Sequence, residues 1–337
     1  MAKVALNFED GITRFIETTG YETIAEAAYR EGINIPLDCA DGACGTCKCL
    51  AKSGDFDAGD YIEEALSDED AEKGYGLACQ MRPESDMVVD ILASSAACKV
   101  EAVAYQTVIT SLEFLSSEVV KLRVKSKDES KIVFLPGQYA NIVVPGSTET
   151  RSYSFSSISN SDEMEFIIRL IPEVGLMSNY LRQAKVGDEL ELTGPLGSFY
   201  LREIAKPTLF FAGGTGIAPF IAMMEQLNVE QNDQKIQLFY GATTTENVVE
   251  LDRIKAYSSL QMETYACVSN EESSTFSTGF VTQWINKEVL NEETYDIYIC
   301  GPNAMVDAVK ASLAENKINY DNFYTEKFIP TGELVKS

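Results

Sequence analysis

The chain has 337 residues, 45% of them hydrophobic, with 52 acidic against 27 basic side chains and a net charge of −25. That length accommodates about two or three domains, and the acidic excess argues against a nucleic-acid or anionic-membrane surface. Histidine is absent altogether, which removes Ser-His-Asp and Cys-His catalysis, HExxH zinc sites, histidine-ligated haem and Rieske clusters.

The first ten residues lack the apolar run of a signal peptide. The longest apolar stretch, Leu209 to Met224, is interrupted by Gly213, Gly214, Gly216 and Pro219 and is too short to span a bilayer. The eight cysteines are read as metal ligands before disulfides, and the expected setting is the cytoplasm. From Lys3 to Thr19 two strand-like runs flank Asp10 and Gly11. A short helix follows, with Thr23 and Glu26 as a capping box, Ile24, Ala27 and Ala28 on one face and Gly32 as its stop. A second helix is predicted to start at Ser67, a strand to carry Leu77, Ala78 and Cys79, and the small residues Ala93 to Ala97 to form a linker.

Period-two alternation dominates residues 100–205. Val120, Leu122 and Val124 alternate with charged residues, and Met164, Phe166, Ile168 and Leu170 recur at every second position with charged Glu165 and Arg169 among the intervening residues. With Pro136-Gly137 and Gly194-Pro195-Leu196-Gly197 as punctuation, this predicts an antiparallel β-barrel. Beyond residue 205 the period changes. Thr208 to Ala212, Ile236 to Tyr240 and Asp296 to Cys300 are short, nearly continuous apolar runs separated by helical patterns such as Ala304 to Glu315. Strands buried on both faces and alternating with helices define a parallel α/β sheet. The expected domains are therefore 1–97, 100–205 and 206–337. Residues 1–99 hold 8 basic and 20 acidic side chains; that excess is either a solvated face or a means of steering towards a basic partner.

Cys39, Cys44 and Cys47 are separated by four and two residues, and 31 residues lie between Cys47 and Cys79. This is the C-x4-C-x2-C…C spacing of a plant-type [2Fe–2S] cluster. Small residues and two glycines in the loop allow backbone amides to reach the sulfurs, which tunes the reduction potential. A structural zinc site is the alternative, but zinc ribbons usually present two C-x2-C knuckles and only one is present. Cys49 is assigned to packing; Cys98 and Cys267 carry no functional signal.

With this loop and the segment Gly76 to Gln80, the first block resembles a plant-type ferredoxin domain, of β-grasp fold, and the remainder is similar to the ferredoxin–NADP reductase superfamily. The order ferredoxin, flavin, nicotinamide resembles the reductase components of ring-hydroxylating dioxygenases, most closely those of the benzoate type. Reductases of phenol- or methane-type monooxygenases and of deoxysugar dehydratases share this chemistry. A non-enzymatic iron–sulfur sensor or carrier is the reading of another class.

Arg151 to Ser157 matches the superfamily's R-x-Y-S-x-x-S flavin signature. An arginine can neutralise a pyrophosphate, a tyrosine can stack on isoalloxazine and a serine can hydrogen-bond its N5 edge, which selects Arg151, Tyr153, Ser154 and Ser157. Gly175, Met177 and Ser178 open a helix-like segment suited to phosphate; the resemblance implies that Met177 and Ser178 meet the pyrophosphate with Arg169 nearby, and that the flavin is FAD. Gly213-Gly214-Thr215-Gly216-Ile217-Ala218-Pro219 sits between strand and helix, where a pyrophosphate can approach closely. Cys300-Gly301-Pro302 ends another strand, and the resemblance puts Cys300 beside the nicotinamide; the alternative is a buried structural cysteine. Thr243, Thr244, Thr245 and Glu246 supply no cation for a 2′-phosphate before Arg253, which favours NADH. Glu326-Lys327-Phe328 resembles the superfamily's C-terminal segment, which implies Glu326 near the reacting carbons and Phe328 over the flavin face; an edge strand with a buried aromatic is the alternative, and the chain continues nine residues past Phe328.

The expectation is an oxidoreductase in which NADH reduces FAD, FAD reduces the [2Fe–2S] cluster, and the cluster reduces a terminal oxygenase component, with Ser154, Cys300, Glu326 and Phe328 around the hydride-transfer centre. Neither nucleic acid nor membrane is an expected partner.

Overall fold

The computed structural model describes residues 2–99, 102–171, 175–291 and 294–327. Two compact units are present. One runs through Val103 and takes in Gly194–Ser198; the other comprises Ala104–Thr193 and the chain from Phe199 onward.

In the first unit, β1 (Ala2–Phe8) and β2 (Thr13–Thr18) pair antiparallel, with Ala2 opposite Thr18. Helix α1 (Ile24–Arg30) follows. Thr23 Oγ accepts from the Glu26 amide at 3.2 Å while the Glu26 carboxylate accepts from the Thr23 amide at 2.9 Å, so the expected capping box is formed. Then come β3 (Lys48–Ser53), β4 (Phe56–Asp57), α2 (Asp68–Glu72) capped by Ser67, β5 (Tyr75–Leu77), β6 (Arg82–Pro83) and β7 (Met87–Ile91). The main sheet has the order β2-β1-β7-β3-β5, with β1 and β7 parallel at its centre. Their alternate residues Val4, Leu6, Phe8, Met87, Val89 and Ile91 are buried with Ile24, Ala27 and Ala28 of α1, the helix-on-mixed-sheet arrangement of a β-grasp.

Two sequence expectations shift here. The strand ends at Leu77, and Ala78 and Cys79 lie in a turn closed by the Gln80 and Met81 amides on the Leu77 carbonyl, both at 2.8 Å. The segment Ala93 to Ala97 is no free linker. Ser95 donates through its amide and hydroxyl to Asp10 at 2.9 and 2.8 Å, and the Cys98 carbonyl accepts from the Asn34 amide at 2.7 Å. Small residues suit close packing as well as flexibility, and composition does not distinguish the two.

The barrel consists of β8 (Val103–Phe114), β9 (Val119–Ser126), β10 (Tyr139–Val143), β11 (Thr150–Ser154), β12 (Met164–Arg169) and β13 (Glu189–Leu196), with α3 (Leu176–Leu181) between the last two. Strand order is β11-β10-β13-β8-β9-β12, and a bridge between Phe155 and Phe166 nearly closes the edges. Its core includes Val120, Leu122, Val124, Phe155, Phe166 and Ile168.

The last layer is a parallel sheet: β14 (Thr208–Gly213), α4 (Ala218–Glu230), β15 (Lys235–Ala242), α5 (Leu251–Lys255), β16 (Gln261–Val268), β17 (Ser277–Thr278), β18 (Tyr295–Gly301), α6 (Asn303–Glu315) and β19 (Tyr320–Lys327). The order β17-β16-β15-β14-β18-β19 places β15 on one side of β14 and β18 on the other. The chain therefore reverses its direction of growth at β14, and ligands of open α/β sheets bind at the carboxyl ends of strands at such a switch point. Val119 and Ile167 of the barrel belong to the same buried cluster as Phe220, Met223 and Met224 of α4 and Ile254 of α5. Barrel and parallel sheet thus share a core.

Candidate functional site: thiol pairs, a flavin strand and a switch-point crevice

The loop holding Cys39, Cys44 and Cys47 alternates into left-handed backbone at Ala40, Gly42 and Gly45, with φ of 60°, 83° and 73°. A Cβ on Gly42 would stand 2.3 Å from the Asp60 carbonyl oxygen, and one on Gly45 would stand 2.8 Å from that of Ala65. Only glycine satisfies both the dihedral and the contact at these positions. So folded, the loop directs the amides of Ala43 and Cys44 to Cys39 Sγ, both at 3.3 Å.

The thiols influence one another in two pairs, Cys39 with Cys44 and Cys47 with Cys79. The first pair is half-buried at the surface, and the second is buried. Among the described residues no group of three or more His, Cys, Asp or Glu side chains is gathered around a single ion position. Two pairs of sulfurs, with amides aimed at Cys39, suit a two-iron cluster, in which each iron takes two protein thiolates, better than a mononuclear tetrahedral zinc. Burial and its Asp41 and Cys44 neighbours push the Cys39 thiol up to about 11. The neighbouring Cys47 thiol lowers that of Cys79 to about 6. Cys49 is fully buried with Sγ 3.4 Å from Met81 Sδ, a packing position as expected.

The flavin signature lies along β11 at the open edge of the barrel. Arg151 is half-buried and paired with Glu149 at 2.8 Å. Tyr153 is half-buried, and burial raises its phenol well above the usual range. Ser154 is buried and donates to Glu326 Oε2 at 3.2 Å. Ser157 turns inward, its hydroxyl accepting the Glu165 amide at 3.3 Å. Gly175 caps α3, Met177 and Ser178 are buried, and Ser178 Oγ accepts the Ile171 amide at 2.9 Å. Arg169 is largely exposed, 3.8 Å from Glu118. A half-buried ring, a buried hydroxyl and two arginines along one strand edge and its neighbour fit the polar and aromatic needs of a flavin nucleotide.

The glycine turn follows β14 as a short 3-10 segment, Gly214–Ile217, leading directly into α4. Gly214 and Thr215 are half-buried and Gly216 is buried. A Cβ on Gly216 would lie 2.2 Å from the Cys300 carbonyl oxygen, so this turn presses on β18. Gly301 ends β18 and Pro302 caps α6. Cys300 is fully buried with Sγ 4.0 Å from Glu326 Oε2; burial first, and then that carboxylate, hold its thiol far above the ordinary value. At neutral pH Cys300 is therefore a neutral thiol. Among the described residues, the buried side-chain oxygens of Asn303 and Thr244, each just beyond a strand's carboxyl end, have no hydrogen-bond partner. Buried polar groups of this kind await a ligand or water, and they fit a dinucleotide laid along the sheet edge.

Ser154, Cys300 and Glu326, widely separated in sequence, are thus brought together within hydrogen-bonding range. Phe328 lies outside the described residues. Sequence reasoning missed Glu271, whose carboxylate accepts the Thr245 amide at 2.6 Å, and Ser273, 3.0 Å from Thr245 Oγ1. Their position just beyond β16, next to β15 in the sheet, was the available signal. Arg253, the first cation after the threonines, is committed to Glu165, Glu225 and Glu250.

Together these features define an iron–sulfur flavoprotein oxidoreductase. Residues 7–84 match the 2Fe-2S iron-sulfur cluster binding domain, residues 106–200 the oxidoreductase FAD-binding domain and residues 210–311 the oxidoreductase NAD-binding domain. The chain is 49% identical to the toluate 1,2-dioxygenase electron transfer component of Pseudomonas putida, over 97% of this chain and 98% of that one. It is 43% identical to the 2-halobenzoate 1,2-dioxygenase electron transfer component of Burkholderia cepacia, again over 97% and 98%. A crystal structure of a cytochrome P450 reductase from Amycolatopsis superposes with a TM-score of 0.73 at 26% identity, covering 97% of this chain and 99% of that one. The chain belongs to the family of these electron transfer components, with 2Fe-2S, FAD and NAD as its cofactor set. No helix among the described residues is long and apolar enough to cross a membrane.

Proposed function

We propose that this chain is the NADH-dependent reductase of an aromatic ring-hydroxylating dioxygenase of the benzoate type, delivering electrons in the cytoplasm to a separate oxygenase component. The oxygenase assignment is supported by the toluate and 2-halobenzoate relatives. The functional blocks are taken as 1–97, 100–205 and 206–337, in keeping with the three family matches. The observation that carries the reading is the meeting of Ser154 on the flavin strand with Glu326 and Cys300 at the switch point of the parallel sheet.

When bound, the nicotinamide supplies a hydride, FAD divides its electron pair, and the cluster carries single electrons onward. Cys39, Cys44, Cys47 and Cys79 would hold the iron, and the loop amides stabilise negative charge on the sulfurs. Arg151 and Arg169, with Met177 and Ser178, would hold the flavin pyrophosphate, and Tyr153 would lie against the ring. Gly214, Thr215 and Gly216 admit the dinucleotide backbone to the sheet edge, flanked by Gly301 and Pro302. Glu326 accepts from both the Ser154 hydroxyl and the Cys300 thiol, which fixes these groups relative to one another before a ligand arrives. Hydride transfer depends on alignment of two rings and needs no acid–base histidine. The neutral Cys300 thiol adds bulk without charge.

Preference for NADH is supported by the threonines of 243–245 and by Glu271 on the Thr245 amide, since a carboxylate there disfavours a 2′-phosphate by like-charge repulsion. The test is reconstitution. Anaerobically purified protein should contain iron, acid-labile sulfide and FAD, bleach on NADH far faster than on NADPH, and support product formation with a benzoate-type oxygenase component. Stoichiometric zinc without sulfide would overturn the reading. Glu271→Gln should narrow the preference for NADH by about tenfold, the scale of one charge interaction near 1.4 kcal/mol.

A further inference from the structure

The seam between barrel and parallel sheet carries an ionic cluster that none of the cofactor sites accounts for. Glu165, on β12, has a side chain only 4% exposed. One of its oxygens accepts from Arg123 Nε at 2.9 Å; the other accepts from Arg253 Nη1 at 2.6 Å and Ser156 Oγ at 3.1 Å. Its amide donates to Ser157 Oγ and its carbonyl accepts from the Ser156 amide at 2.8 Å. Arg253, on α5, donates through Nη2 to Glu225 of α4 at 2.8 Å and through Nη1 to Glu250 at 3.2 Å. Glu250 in turn accepts from Lys121 of β9 at 3.0 Å.

We propose that Glu165 and Arg253 are a positioning pair that sets the register of the flavin strand against the nicotinamide crevice. The proposal rests on the flavin and nicotinamide readings given above. Ser156 and Ser157 lie two and three residues beyond Ser154, so binding them to Glu165 fixes where that strand leaves the barrel. Glu225 lies on the helix that begins at the Gly214–Gly216 turn, so binding it to Arg253 fixes the other wall. One planar guanidinium bridges the two, because its fork reaches carboxylates on different elements at once. A lysine reaches one or the other. A well-packed apolar contact would hold such a seam at least as firmly, and a directional ion cluster adds registry.

The test uses Arg253→Lys in the cofactor-loaded chain, with Arg253→Met as the second variant. At saturating NADH, Arg253→Lys should slow flavin reduction by about tenfold, within the scale expected for sub-ångström misalignment, while NADH affinity changes by less than about threefold. Amide exchange should quicken at Ser156, Ser157 and residues 251–255 together and stay unchanged in the β1–β7 unit. Arg253→Met should show both effects more strongly. An unchanged limiting rate with a lowered melting temperature would overturn the proposal, as would a change confined to NADH affinity or a slower rate without faster exchange. If the unmodified protein were not reduced by NADH at all, the functional reading itself would fail; if the unmodified protein were reduced and the variants matched it in rate and exchange, only the positioning role would.

Discussion

Replacing Gly216 with alanine tests whether the glycine turn and β18 form one tightly spaced crevice. The added Cβ would stand 2.2 Å from the Cys300 carbonyl oxygen and 2.8 Å from its carbonyl carbon. Carbon and oxygen tolerate little less than about 3.2 Å, so something must retreat by about 1 Å. Cys300 is fully buried in a strand paired on both sides by β14 and β19, which leaves the turn and the start of α4 to move. Ala218, Pro219, Phe220 and Ile221 there are themselves buried, so the shift repacks a core and costs about 1–3 kcal/mol, the usual range for overpacking. A displacement of that size beside the reacting atoms slows transfer by up to about 100-fold. Anaerobic stopped-flow reduction of the flavin at saturating NADH measures this, with FAD content and cluster absorbance as controls. A rate constant within about twofold of the parent, at full FAD occupancy, would refute the reasoning. Gly214→Ala separates strain from crowding: open space surrounds that Cβ, but φ is +55°. It should cost about 1 kcal/mol of stability and slow reduction far less than Gly216→Ala.

Cys79→Ser should abolish electron delivery to a protein acceptor while NADH still bleaches the flavin; loss of both would mean the two compact units do not divide the work as described. Gly42→Ala places a Cβ 2.3 Å from the Asp60 carbonyl in left-handed backbone, so iron bound per chain should fall several-fold by metal analysis, and undiminished iron would count against the loop argument. Glu22, paired with Arg30 at 3.0 Å, is held down at about 2 from an ordinary value of 4.5. Its contribution to stability is complete above about pH 4.5 and is lost as pH falls through about 2; a carboxyl resonance titrating near 4.5 would show that the pair does not persist in solution.

The candidate iron ligands and the glycine turns could be picked out because the chemistry proposed for them is written in local spacing. A cluster loop needs its thiols and glycines within nine consecutive residues, and a strand–turn–helix phosphate site is equally compact. Glu326 was legible only through the family resemblance, since nothing between Ser154 and Glu326 in sequence indicates that parallel β19 pairs with β18 and returns to the flavin strand. Glu271 escaped notice for a related reason. Its place at the Thr245 amide comes from β16 lying beside β15, and adjacency of parallel strands is decided by crossovers that local patterning does not encode. The stretch Ala93 to Ala97 misled in the other direction, because short side chains permit both a flexible tether and the close packing that Asp10 and Ser95 enforce.

The barrel strands show most clearly what a period of two can and cannot say. Alternation in β9 and β12 identified Val120, Leu122, Val124, Phe166 and Ile168 as one face, and that face is the barrel core. The other face should then meet water, yet Lys121, Glu165 and Ile167 on it are buried. They are covered by α4 and α5, elements that follow in sequence and belong to another layer. A charged residue at a polar position of an alternating strand is ordinarily solvated, so the pattern offered no reason to single out Glu165. Once covered, its charge has to be matched, because an unpaired buried carboxylate costs about 3–5 kcal/mol. Arg123 and Arg253 match it, and Arg253 can do so only from the docked layer. The pairing is therefore a property of the assembled barrel and sheet, formed when Ser156 beside the flavin strand and, through Arg253, helix α4 are brought to the same carboxylate.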